Sequence, residues 1–253
     1  MKNFKGILSY EGTRFLGWQK TRMGDSIEKE LEKALSVLLR HPVELQSASR
    51  TDAGVHAKGQ VINFLTSENT LDLSRIRNGV NAILPHDIRL LSLEEASLDF
   101  HPTLDAAGKE YIYEICTGSV QSPFLRLFSW HFPYALDIEA MRSASAPLLG
   151  THDFSSFCNE RSLIDPDPVC TLQKVTIENL GGGRLQILVQ GNRFLYKMMR
   201  NLAGSIAYAG CGKIAPESMR GILEARDRRL AGMTAPAHGL YLQRVFYKPH
   251  SSS

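Results

Sequence analysis

The sequence predicts an α+β protein, with two α/β halves whose largely antiparallel sheets merge into one mixed central sheet around a cleft. Two observations predict it. Helical stripes of apolar residues alternate along the chain with short strand-like runs. The connections between successive strands are short, which favours antiparallel pairing. At 253 residues, the chain can bury a core without disulfides or metals. With 43% hydrophobic and 22% charged residues, it is globular rather than disordered or collagenous.

Residues 4–10 read as a strand, with Phe4, Ile7 and Leu8 as core candidates. The following loop, EGTRFLGWQKTRMG, carries an exposed-looking mix of Arg14, Phe15, Trp18, Lys20 and Arg22. Asp25 and Glu28 form a capping-box pattern, and Ile27, Leu31, Leu35 and Leu38 then share one helical stripe. His41-Pro42 ends that helix. Residues 43–48 and 59–66 read as strands around the compact loop SRTDAGVHA. A second helix starts near Asp72, buries Leu73, Ile76, Val80 and Ile83, and stops at Pro85. A strand at 88–93 completes the first half.

In the second half, Tyr111, Tyr113 and Ile115 fall on one face of a strand at 108–117. Asp137 caps a helix to about Leu149, with Ile138, Met141 and Leu148 buried. Residues 169–180 and 184–191 form a hairpin around Gly181-Gly182-Gly183. A helix spans about 195–209 and ends at Gly210. Another follows Pro216. Residues 239–247 form the last strand, and the tail Ser251–Ser253 is expected to fray. The order suggests two ferredoxin-like units. The expected domains are 1–104 and 105–250.

The formal charge of +3 is unevenly distributed. Residues 1–60 carry +3, residues 61–183 carry −8 and residues 184–248 carry +8. Two basic ends around an acidic middle suggest one face suited to a polyanion. Cys116, Cys158, Cys170 and Cys211 form no C-x-x-C pair, so they read as free, mostly buried thiols in a reducing compartment. No apolar run is long enough to span a membrane, and the N-terminal stretch meets Glu11 and Gly12 too early for a signal peptide. The expected location is cytoplasmic.

The densest chemical signal is Ser49-Arg50-Thr51-Asp52-Ala53-Gly54-Val55-His56-Ala57. It concentrates a carboxylate, a cation, hydroxyls and an imidazole in one inter-strand loop, where reactive groups are held by rigid strands. A plain tight turn, with Asp52 accepting backbone N–H groups and Gly54 at positive φ, explains the same residues.

This stretch resembles the G-R-T-D-A-G-V-H-A signature of the TruA family of tRNA pseudouridine synthases. Five further blocks match in order: YEGTRFLGWQ (10–19), GKEYIYEI (108–115), HDFSSF (152–157), FLYKMMRNLAG (194–204) and APAHGLYL (235–242). The resemblance thus spans nearly the whole chain. Three positions depart from it. Ser49 replaces a Gly, Thr103 an Arg and Glu28 a Gln.

The resemblance implies an isomerase that converts uridine to pseudouridine in the anticodon stem-loop of tRNA, at positions 38, 39 and 40. The atoms are only rearranged, so no cofactor or metal is implied, and no dinucleotide or P-loop motif occurs. Asp52 is implied as the catalytic nucleophile, attacking C1′ or C6, or assisting glycal formation. Arg200 is implied as the cation that keeps it ionised. Tyr111 is the implied active-site tyrosine, stacking on uracil and accepting the C5 proton, with Tyr113 its confusable neighbour. Arg50 would fill the space left by the flipped base or hold a phosphate. Arg14, Trp18, Lys20 and Arg22 would grip RNA by phosphate contact and stacking. His56 reads as structural, while Phe154 and Phe157 read as the wall of a uracil pocket or ordinary core. The implied assembly is a homodimer with tRNA as partner and no membrane contact. The rivals are the same chemistry at another tRNA position, or a non-catalytic RNA-binding protein of the same fold.

Overall fold

A computed structural model describes residues 1–67, 72–159 and 167–248. The tail expected to fray lies outside them. The chain divides into two compact units, one comprising Met1–Ala107 together with the chain from Tyr241, the other Gly108–Leu240.

The first unit contains β1 (Lys2–Tyr10), α1 (Ile27–Leu39), β2 (Gln46–Ser47), β3 (His56–Thr66), α2 (Leu73–Ile83) and β4 (Ile88–Ala96), in the expected order. β1 runs antiparallel to both β3 and β4, with Gly6 opposite Ile62 and Leu93. β2 pairs antiparallel with β3. The spatial order β4-β1-β3-β2 is that of a ferredoxin-like unit.

Phe4 and Leu8 are buried, but Ile7 is 38% exposed. Alternation along the strand puts Ile7 on the opposite face from those two. The N-cap of α1 is Ser26, whose hydroxyl accepts from the Lys29 N–H, rather than the expected Asp25. Asp25 instead pairs with Lys29 Nζ at 3.1 Å, and the Glu28 carboxylate accepts from the Lys20 N–H at 2.8 Å. Ile27, Leu31 and Leu35 are buried as expected; Leu38 is half-buried. Asp72 caps α2 by accepting from the Arg75 N–H at 2.7 Å. On α2 only Ile76 and Val80 are buried, Leu73 is half-buried and Ile83 is exposed. Leu84, four residues after Val80, takes the buried position instead, leaving the helix with ψ 143 as residues before proline do.

The last strand, β10 (Leu240–Tyr247), was expected in the second domain. It pairs in parallel with β3, with Tyr241 opposite His56 and Leu242 opposite Ala57, and from Tyr241 belongs to the first unit. A Cβ at Gly59 would lie 2.6 Å from the Gln243 carbonyl oxygen, so a bare glycine admits the strand. Tyr241 stacks on His56, and the Tyr247 hydroxyl donates to the Pro102 carbonyl at 2.8 Å. Val245 and Tyr247 pack on a cluster of Ala48, Val61 and Phe100.

The second unit holds β5 (Ala106–Cys116) from Gly108 on, β6 (Trp130–His131), α3 (Ile138–Ser145), β7 (Gly150–Asp153), β8 (Val169–Gly181), β9 (Arg184–Gly191), α4 (Met198–Gly210) and α5 (Ser218–Ala225). β5, β9, β8 and β7 are antiparallel neighbours in that order, and β6 lies parallel to β5. Asp137 caps α3 as expected, but α3 stops at Ser145 and a 3₁₀ turn over Ala146–Leu148 follows. Met141 and Leu148 are buried, Ile138 half-buried. The β8–β9 turn sets Gly181, Gly182 and Gly183 at φ 77, 60 and 73, which side chains rarely adopt. Helix α4 begins later than expected because Lys197 takes φ 58; Leu195 lies before it and is half-buried. Among the described residues no disulfide forms; Cys116 and Cys170 are buried, Cys158 and Cys211 half-buried. Among the described residues, no helix is long and apolar enough to cross a membrane.

Candidate active site

Ser49–Val55 is the turn that leads from β2 into β3, and its backbone is clamped from both sides. Gln60, buried at the start of β3, donates to the Ser49 carbonyl at 2.6 Å and accepts the Ser49 N–H at 3.2 Å. On the other side lies the 10–19 loop. The Tyr10 hydroxyl meets Thr51 Oγ1 at 2.7 Å, and the Trp18 N–H donates to the Thr51 carbonyl at 3.0 Å. Two glycines make the contact possible. A Cβ at Gly17, itself at φ 95, would lie 2.8 Å from the Thr51 carbonyl oxygen, and one at Gly12 would lie 2.0 Å from that of Val55. The turn closes through the Val55 N–H to the Asp52 carbonyl at 3.1 Å, with Gly54 at φ 78. Asp52 is half-buried at its tip, and Arg50 is exposed.

His56 is buried in β3. Its Nδ1 accepts the Gly12 N–H at 3.0 Å, and its ring stacks on Tyr241 at 4.8 Å. A nitrogen that accepts carries no proton, so the 3.5 Å approach to Glu11 is not a charged pair. The structural role expected for His56 fits this geometry.

The loop expected to be exposed is divided. Phe15 and Trp18 are buried, Trp18 to 2% exposure, while Arg14, Lys20 and Arg22 reach solvent. Trp18 packs against Tyr10, with ring centroids 6.1 Å apart, as part of the clamp on Thr51. Arg14 bonds Asp87 at 2.5 Å and lies over the Phe15 ring. Lys20 Nζ pairs with Glu32 at 2.8 Å, and that hydrogen bond raises its pKa.

In the second unit, Tyr111 lies on β5 with its ring edge-on to Phe194, centroids 4.8 Å apart. Tyr113, on the same face, has 0% exposure, and its hydroxyl donates to the Pro236 carbonyl at 2.7 Å. Burial pushes the Tyr113 pKa well up, only partly opposed by the charge of Arg200. Tyr113 is thus a neutral core residue with a committed proton. Arg200, half-buried on α4, donates from Nε to the Ala235 carbonyl at 2.7 Å, and the Ala235 N–H returns a bond to its carbonyl at 3.1 Å. Gly204, a turn later, lets this segment approach, since a Cβ there would lie 1.8 Å from the Met233 carbonyl oxygen. Burial lowers the His238 pKa, a hydrogen bond with the Ser129 backbone opposes the shift, and the charge of Arg200 adds to the lowering. Phe154 and Phe157 are fully buried.

Sequence reasoning missed the residue beside Arg200. Asn201 is fully buried, and its amide donates to the Phe157 carbonyl and to Asn159 Oδ1, both at 2.7 Å. Its oxygen accepts from Arg228 at 2.9 Å and from Thr234 at 2.6 Å. It ties the 152–157 and 194–204 blocks together and reaches Arg228 and Thr234, and an amide amid the apolar residues of α4 was the signal.

A family model described as tRNA pseudouridine synthase matches residues 7–105 and 144–248. The chain belongs to the tRNA pseudouridine synthase family. Over 248 residues it is 46% identical to tRNA pseudouridine synthase A 2 of Protochlamydia amoebophila, covering 98% of this chain and 95% of the relative. It is 41% identical over 245 residues to tRNA pseudouridine synthase A of Bacillus pumilus, covering 96% and 98%. To that of Thermotoga neapolitana it is 39% identical over 247 residues, covering 98% and 100%. Asp52 and Arg200 fall in the two matched stretches of the tRNA pseudouridine synthase model, and Tyr111 falls between them.

The three departures from the pseudouridine synthase blocks are accommodated locally. Ser49 is not among the residues at positive φ, so glycine is not required there. Glu28 accepts the Lys20 N–H described above. The Thr103 hydroxyl donates to the Ser47 carbonyl at 2.6 Å, tying down the segment before β5.

Proposed function

We propose that this pseudouridine synthase isomerises uridine to pseudouridine in the anticodon stem-loop of tRNA, at positions 38, 39 and 40, acting as a cytoplasmic homodimer. The observation that carries the reading is the clamped turn bearing Asp52. It rigidly presents a half-buried carboxylate within a stretch matched by the family model. Fixed geometry of this kind supplies the orientation that a reaction on a flipped nucleotide needs.

In the proposed reaction, the N1–C1′ bond breaks, uracil rotates in place, a C5–C1′ bond forms, and the proton that leaves C5 is balanced by one taken up at N1. Asp52 provides the nucleophile at C1′ or C6, or assists glycal formation by taking a C2′ proton. Tyr111 stacks on the base, and its hydroxyl accepts the C5 proton, directly or through water. Tyr113, fully buried with its hydroxyl on the Pro236 carbonyl, is assigned to support of the core. Arg200 is assigned the counter-charge of the carboxylate. Arg50, Arg14, Lys20 and Arg22 are assigned contacts to RNA phosphates. Trp18 is assigned to support of the Asp52 turn, because its burial leaves no face for a base.

The test is to incubate the protein with an unmodified tRNA transcript and map the product. Pseudouridine at 38, 39 or 40 is expected, formed without added cofactor. Pseudouridine only elsewhere would refute the positional assignment, and binding without isomerisation would leave a non-catalytic RNA-binding protein.

A further inference from the structure

Lys109 lies on the face of β5 that carries Tyr111 and Tyr113. Residues two apart on a strand lie about 7 Å apart on one face, so Lys109 and Tyr111 are side-chain neighbours. Across the antiparallel ladder, Lys109 faces Gly191 and Tyr111 faces Val189. A Cβ at Gly191 would lie 3.3 Å from the Phe194 ring, which also packs edge-on against Tyr111. Phe194 therefore forms an apolar wall over both positions.

Among the described residues, nothing compensates the Lys109 ammonium. Desolvation is the sole cause acting on it, with neither hydrogen bond nor opposite charge to offset it, and its pKa is lowered to about 8. Glu110 and Glu114 stand on the other face of the strand by alternation, and Glu114 pairs with Arg184 at 2.8 Å. A half-buried cation without a counter-ion is costly, and proteins normally pair such groups.

We infer that Lys109 binds the phosphate adjacent to the uridine that Tyr111 stacks on, making it a positioning residue for the target nucleotide. The inference rests on the proposed function, which supplies RNA as the ligand and Tyr111 as the base platform. The flexible four-carbon stem lets a point charge reach a backbone phosphate while the base lies against the aromatic pair.

The experiment compares wild type, Lys109→Gln and Lys109→Arg for tRNA affinity across a salt series and for pseudouridine formation. The Gln variant should lose about tenfold or more in affinity, as expected for a charge-assisted bond. Its slope of log K against log salt should fall by about 0.7 to 0.9, the signature of one lost phosphate contact. The activity loss should fall more on KM than on kcat, and Lys109→Arg should restore slope and affinity. An unchanged slope in the Gln variant would overturn the inference, as would an Arg variant that folds but recovers neither quantity. The slope is read from binding alone. Wild-type protein that binds tRNA but makes no pseudouridine would therefore refute the catalytic reading separately.

Discussion

Asp52 is placed by backbone bonds on either side of it, through the Thr51 carbonyl to Trp18 and through its own carbonyl to Val55. Replacing only its charge should leave that turn intact. Asp52→Asn is expected to bind tRNA as wild type does and form no pseudouridine, measured by single-turnover product mapping; substantial turnover would remove the nucleophile role. Tyr111→Phe keeps the ring on Phe194 but loses the hydroxyl, so its product rate should fall by about 100-fold or more with affinity little changed. An unchanged rate would move the proton acceptor elsewhere. Lys109 gives a stability prediction. Its pKa is lowered to about 8 in the folded protein from the ordinary lysine value of 10.5, so below pH 8 both states are charged and the fold bears the desolvation cost. That cost is relieved as pH rises from about 8 towards 10.5, because the unfolded chain there binds more protons. Wild type should gain stability relative to Lys109→Met over this window, read as a change in urea midpoint difference with pH; a constant difference would argue against it.

At the scale of elements, what distinguishes the 10–19 loop is backbone proximity. Gly12 and Gly17 matter because carbonyls of the Asp52 turn occupy the space a Cβ needs. Gly12→Ala must push Val55 away, and a displacement of about 1 Å at the carboxylate costs about 100-fold in rate. The expected outcome is a folded protein, judged by circular dichroism, with kcat reduced to that degree; full activity would show that the clamp does not position Asp52. Asn201 plays the corresponding part in the second unit. Asn201→Ala strands the Phe157 carbonyl and the Arg228 and Thr234 donors, and should destabilise by about 3 kcal/mol in denaturant unfolding. These roles were hidden in the sequence because a glycine's reason lies in the chain opposite it. The stripes on α1 and α2 were legible, since helical period alone fixes which residues face inward, yet Ile83 and Leu84 show that the last turn is decided by packing. The cap of α1 was misassigned by one residue, because Asp25 and Ser26 are both good caps and only geometry separates them.

Taken whole, the charge separation along the chain is partly undone by folding. Basic residues near the N-terminus meet acidic partners from the middle segment: Lys2 with Glu95, Lys5 with Glu94 and Arg14 with Asp87. In the second unit, Arg184 pairs with Glu114 and Arg226 with Asp153. The basic ends therefore offer fewer uncompensated cations than the linear count implies. RNA affinity should still fall as salt rises, since phosphate contacts release counter-ions. A flat response would dismiss electrostatic capture. Sedimentation equilibrium should return twice the 28.2 kDa chain mass for the proposed homodimer, and a monomer at assay concentration would reject it.

The sequence by itself determined the order of strands and helices in the first unit, its ferredoxin-like pattern and the chemical nature of the Asp52 turn. Those depend on local period, capping and turn chemistry, which short stretches encode. Tertiary structure decided that the last strand joins β3, that Trp18 is a buried support, that Tyr113 is committed to Pro236, and that Asn201 gathers three distant segments. Each of these is a contact between residues far apart in the chain, and its energy comes from burial and from satisfying backbone groups that no local pattern records.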